Sequence, residues 1–146
     1  MRSVACTLAA VAGLLSLGVV VLAEQRVAFK IIVHDSNPQT SLSRAEVSSL
    51  FLKKTGTLSN GRPAVPVDLV DNSPVREAFT ASIHLKPVAA IKAYWRQQIF
   101  AGRSVPPVEL RSEAEVVAFV KANVNAVGYV GLDFPTRDVK SLNVAD

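Results

Sequence analysis

The stretch Asp71-Asn72-Ser73-Pro74-Val75-Arg76 gathers the residue types that hold a small anion. Ser73 followed by Pro74 is a helix start: the serine oxygen caps free backbone amides, and proline fits the first helical position. Free amides and the helix dipole together attract negative charge. Arg76, in the first turn, adds a cation. Asp71 repels an anion unless it orients an arginine, and Asn72 supplies an amide side chain. Two readings of these residues stand side by side. In one, Ser73, Arg76, Asp71 and Asn72 line an oxyanion site. In the other, Ser73 is a plain cap, Asp71 a turn former, and Arg76 the partner of Asp71 or Asp68.

Other chemistry has less to stand on. The single cysteine, Cys6, precedes the body of the domain, which therefore has no disulfide, thiolate metal site or thiol nucleophile. His34 and His84 are far apart in sequence and lack the partner spacing of a metal site. No nucleophile elbow is present. The reading is a non-enzyme with neither cofactor nor metal. The chain carries a formal net charge of +4 over 146 residues, with its lysines and arginines scattered. Nucleic-acid binders concentrate them on one stripe, so that class of partner is excluded.

The N-terminus reads as a targeting segment. Arg2 gives a positive start, Val4 to Leu22 is uncharged, and Val21-Leu22-Ala23 precedes a cut before Glu24. Gly13, Ser16 and Gly18 weaken the competing reading, a retained membrane anchor. Residues 1–23 are thus a signal peptide, and residues 24–146 a single domain, periplasmic or secreted.

Hydrophobic periodicity predicts the elements that position these residues. Val27 to Val33 is a strand, and Ser43 with Glu46 forms a capping box ahead of a helix carrying Val47, Leu50 and Phe51. Ala64 to Leu69 is a strand, and the Ser73 helix continues through Val75, Ala78, Phe79 and Ile83. A helix from Pro87 places Ile91, Tyr94, Trp95 and Ile99 on one side, with Trp95 and Tyr94 as core and rim. Val108 to Leu110 is a short strand. Ser112 and Glu115 form a second capping box, ahead of a helix that Asn125 closes. Ala126 to Val130 and Val139 to Val144 complete the set, with Gly128 marking close packing against a helix. The fold class is α/β: a mixed, mostly parallel sheet with helices on both faces.

Three segments together resemble the second lobe of the phosphate-binding proteins of ABC transporters. They are Leu42-Ser43-Arg44-Ala45-Glu46 through Phe51-Leu52-Lys53-Lys54, then Val65 to Leu69 with Asp71-Asn72-Ser73, and last Asn125-Ala126-Val127-Gly128-Tyr129-Val130. Ala93-Tyr94-Trp95 and Phe100-Ala101-Gly102-Arg103 fit short stand-alone relatives of the group. The resemblance implies one lobe of a type II periplasmic binding protein, and a protein class that binds oxyanions between two lobes and serves a membrane transporter. The family's anion loop, Arg-Ser-Asp-Gly-Ser-Gly-Thr, falls on Leu69 to Val75. Asp71 and Ser73 match it. Leu69, Asn72, Pro74 and Val75 replace its arginine, two glycines and threonine. The expected function is an exported substrate-binding-like module with weak oxyanion (phosphate) binding. The alternative is an accessory or protein-interaction domain in contact with a transporter or other envelope protein.

Overall fold

The computed structural model describes residues 27–146; the expected signal peptide lies outside them. Six strands form one sheet in the order β2-β6-β1-β5-β3-β4. They are β1 (Phe29–His34), β2 (Ser41–Ser43), β3 (Val65–Leu69), β4 (Val108–Leu110), β5 (Ala126–Gly131) and β6 (Val139–Ala145). Parallel pairing joins β2 to β6, β3 to β5 and β3 to β4. The central strand β1 pairs antiparallel with β5 and β6. The sheet is therefore mixed and mostly parallel, as the alternation of strands and helices predicts.

Among the described residues the α-helices are α1 (Arg44–Phe51), α2 (Pro74–Phe79), α3 (Val88–Phe100) and α4 (Glu113–Ala122). Side chains alternate across a strand, so neighbours on β5 show what covers each face. A methyl group added at Gly128 would lie 2.6 Å from Val116 and 3.3 Å from Val120, both on α4. Tyr129, the next residue, faces the other way and stacks on Phe79 of α2 at 3.9 Å between centroids, with Phe51 of α1 at 5.7 Å. Helices thus cover both faces. Gly128 lets α4 approach the sheet, which any side chain at that position would hold off.

The caps explain where the helices begin. Ser43 Oγ accepts from the Glu46 amide at 3.2 Å, and the Glu46 carboxylate accepts from the Ser43 amide at 2.7 Å, a complete capping box. These bonds hold the Glu46 carboxyl below its usual pKa, the Ser43 backbone bond most of all. The Ser112 box differs from expectation: Ser112 Oγ accepts from the Glu115 amide, but the Glu115 carboxylate takes the Arg111 amide instead. Helix α2 runs into a π-helical turn over Thr80–His84, ended by Leu85 at φ +54°. Neither that turn nor β2 is predicted from periodicity. On α3, Ile91 and Trp95 are buried, but Ile99 is 53 % exposed, so the expected stripe ends one turn early. Among the described residues no helix is long and apolar enough to cross a membrane.

Candidate functional site

The loop between β3 and α2 holds Asp71, Asn72 and Ser73, and the fourth expected site residue, Arg76, lies in the first turn of α2. Ser73 closes a turn through its amide to the Val70 carbonyl at 3.1 Å. Its extended backbone and Oγ, which accepts from the Arg76 amide at 3.3 Å, start α2 as the sequence predicts. Pro74 occupies the first turn and contributes no N–H. The Arg76 amide is spoken for by the cap, so this helix start offers an anion fewer amides than an ordinary one. Asp71 and Asn72 are exposed at the tip. Asp71 accepts from Lys92 Nζ of α3 at 2.5 Å. That bond and the lysine charge hold its carboxyl below the ordinary range.

Arg76 runs inward and is only 2 % exposed. Its Nη1 donates to the Leu69 carbonyl at 2.5 Å and to Glu109 Oε1 of β4 at 2.7 Å. Its Nη2 lies 3.5 Å from Asp68 Oδ2 of β3. Asp68 in turn accepts from the Leu69 amide at 2.9 Å and from the Tyr129 hydroxyl of β5. Burial drives the Asp68 carboxyl above its usual pKa, opposed by Arg76 and by the bond from Tyr129. Burial also pulls Arg76 down, but Asp68 and Glu109 more than offset it and leave the guanidinium above its ordinary value. The Tyr129 hydroxyl is pushed up by burial and by the Asp68 charge. One cation thus meets two carboxylates, and among the described residues no buried side-chain polar atom lacks a partner.

The structure therefore brings Ser73 and Arg76 onto one helix but not onto one surface. Arg76 pairs with Asp68, and Asp71 pairs with Lys92. A cavity of about 540 Å³ adjoins the start of α2 at Val75, but its walls include Glu113 and Asp133, whose carboxylates disfavour an anion there. Sequence reasoning missed Glu109 and Tyr129, which lie 33 and 61 positions from the residues they bond. Asp68 was within reach as a candidate partner of Arg76, and the need of a buried tyrosine hydroxyl for a partner is the signal that could have added Tyr129 to it.

Of the two histidines, His34 turns back on its own loop, its Nδ1 2.8 Å from Ser36 Oγ. His84 ends the π-helical turn, with Nδ1 2.9 Å from Ser48 Oγ of α1. Its imidazole is held down to about 4, first by burial and then by Arg76, Lys54 and Lys86. Among the described residues no group of three His, Cys, Asp or Glu side chains is placed to hold a metal ion.

No protein-family model and no curated protein matches the sequence. Solved structures do match the fold. An ABC-type phosphate transport receptor from Vibrio cholerae superposes at a TM-score of 0.63 with 18 % identity, over 81 % of this chain and 46 % of the receptor. A structure described as a possible phosphate binding protein from Planctomyces limnophilus gives 0.60 with 17 % identity, over 83 % of this chain and 43 % of that one. PstS from Borrelia burgdorferi gives 0.57 with 13 % identity, over 82 % and 48 % respectively. The chain spans less than half the length of each. It has the fold of part of a phosphate ABC transporter substrate-binding protein, and the helix start that carries its Ser73 keeps its one buried cation turned away from solvent.

Proposed function

We propose that this chain is an exported, non-enzymatic module of the substrate-binding-protein type that acts through contact with another envelope protein rather than by holding phosphate at the Ser73 helix. The observation that carries this reading is the full internal pairing of Arg76. A guanidinium already matched by Asp68 and Glu109 has no charge to spare for a ligand. Drawing it out would leave Asp68 buried and uncompensated, which costs several kcal/mol. In this reading Ser73 caps α2, Asp71 anchors α3 through Lys92, and Asn72 serves the turn.

A protein partner is supported by the surface at the end of α3 and beyond. Phe100 is 96 % exposed, and Ile99, Val105 and Val108 are exposed with it, within one short stretch of chain. Several large apolar groups exposed along one stretch of chain motivate a contact site there. The export signal expected in residues 1–23 and the phosphate-transport proteins that share the fold favour the cell envelope, where a transporter is the first partner to test.

The test has two arms. In the first, the exported protein is titrated with phosphate while backbone amide resonances are followed. The amides of Asn72, Ser73 and Val75 are expected to stay in place. Tight phosphate binding that Ser73→Ala removes would overturn the reading. In the second, a photocrosslinking residue at position 100 is expected to capture an envelope protein in cells. Crosslinks no different from those at the exposed position Asn60 would overturn the partner.

A further inference from the structure

A second pocket, at the opposite end of α2 from Ser73, combines features that the partner-contact reading does not use. Its cavity of about 200 Å³ is lined by Ser48, Leu52, Lys54, His84, Lys86, Ala90, Ile91 and Tyr94. Four chain segments meet there: α1 and the turn after it, the π-helical turn, the loop to α3, and the first half of α3. Every charged or titratable side chain in the wall is a base or a phenol, and none is a carboxylate. Among the described residues neither Lys54 nor Lys86 has an ion-pair partner.

We propose that this pocket binds a small oxyanion of the size of phosphate or sulfate, held by Lys54, Lys86, His84 and Ser48. Like-charged lysines at one cavity repel each other, and an anion between them removes that cost. Each lysine contributes a charge-assisted hydrogen bond. The Ser48–His84 bond at 2.9 Å fixes the ring, so the second ring nitrogen, or the serine hydroxyl in the other tautomer, is left to donate. The first turn of α3 closes the pocket: Ala90 and Ile91 form one wall, and both their amides donate to the Pro87 carbonyl, so the side chains hold the anion. Tyr94 spends its proton on the Leu52 carbonyl at 3.1 Å, which keeps that acceptor from facing the anion unpaired.

The backbone that builds the pocket is unusual, and unusual backbone clusters at binding sites. His84 is the last residue of the π-helical turn, Leu85 follows it at φ +54°, and Lys86 comes next in the cavity wall. A Ser-His hydrolytic pair is a weaker reading, because no carboxylate lines the cavity to orient His84. The cations facing His84 are Lys54 after α1, Lys86 before α3 and Arg76 on α2; Arg44 of α1 donates to the neighbouring Ile83 carbonyl at 3.1 Å. Adding an anion to that set favours the protonated ring.

The experiment is a titration of the whole exported protein with sodium sulfate and, separately, sodium phosphate, with sodium chloride holding ionic strength constant and the His84 ring resonances as the readout. The expected result is saturable movement of the His84 signals with either oxyanion, and an apparent His84 pKa that rises on saturation. Replacing both lysines, Lys54→Gln with Lys86→Gln, is expected to weaken binding at least about tenfold while the circular dichroism spectrum stays the same. Ser73→Ala is expected to leave His84 movement unchanged, so failure here is separable from failure of the Ser73 assignment. His84 signals that ignore both oxyanions, that move equally with chloride alone, or that respond unchanged in the double lysine variant would overturn the proposal.

Discussion

Arg76 Nη2 lies 3.5 Å from Asp68 Oδ2 with both side chains almost wholly out of solvent, and this pair joins α2 to the sheet. Tyr129 and Glu109 complete it from β5 and β4, so four elements converge on one network, buried at Arg76, Asp68 and Tyr129 and reaching the surface at Glu109. Such a network has its largest effect when it is broken on one side only.

Arg76→Ala is therefore expected to destabilise the domain by about 3–5 kcal/mol, because Asp68 is left charged and buried. Arg76→Met combined with Asp68→Asn is expected to cost clearly less than Arg76→Ala. Urea unfolding of the three proteins measures both values. An Arg76→Ala variant of unchanged midpoint would show that the pair does not hold the fold.

Gly128→Ala is expected to cost about 1–3 kcal/mol as an overpacked contact. The new methyl would meet Val116 at 2.6 Å, on a helix that is itself packed against the sheet. Pairing it with Val116→Ala is expected to recover part of the loss, as thermal unfolding of the single and double variants would show.

Trp95→Ala is expected to cost about 3–5 kcal/mol, since Trp95 is buried beside Tyr94, with ring centroids 4.9 Å apart. Ser73→Ala removes only a cap and is expected to cost about 1 kcal/mol. Denaturant midpoints that reversed this order would contradict the assigned roles.

The pH dependence has a definite sign. Burial, with Arg76, Lys54 and Lys86 nearby, holds the His84 imidazole down to about 4, below the 6.5 of a free imidazole. A group depressed by folding contributes stability above its unfolded pKa and loses it as pH falls toward the folded value. Stability is expected to drop between pH 6.5 and 4, by on the order of 2 kcal/mol once partial exposure of the ring is discounted. Glu46, held below the usual carboxylate value of 4.5 by its bonds to Ser43, acts in the same direction as pH falls further, whereas Asp68, raised by burial, acts in the opposite one. His84→Gln is expected to flatten the pH 6.5 to 4 segment alone. A variant that keeps the full slope would assign it to the carboxylates.

The sequence by itself determined the features whose hydrogen bonds close within a few residues. Ser43, Ser73 and Ser112 each cap the amide three positions ahead. Gly61 and Gly102 sit at positive φ where turns require it. Those interactions are set by chain chemistry within one turn, so they are readable along the string. The β-strands were legible from their apolar runs, except β2, three residues long, which exists only because β6 pairs with it, Leu42 opposite Val144. Tertiary structure alone decided where charge goes. Arg76 had Asp68 and Asp71 within reach in sequence; the fold gave it Asp68 and Glu109, and gave Asp71 to Lys92. His84 found Ser48 across 36 positions through a π-helical turn. The reason is physical: a long side chain can reach several partners equally well along the chain, and the choice among them is made by burial, which only the assembled sheet and helices impose.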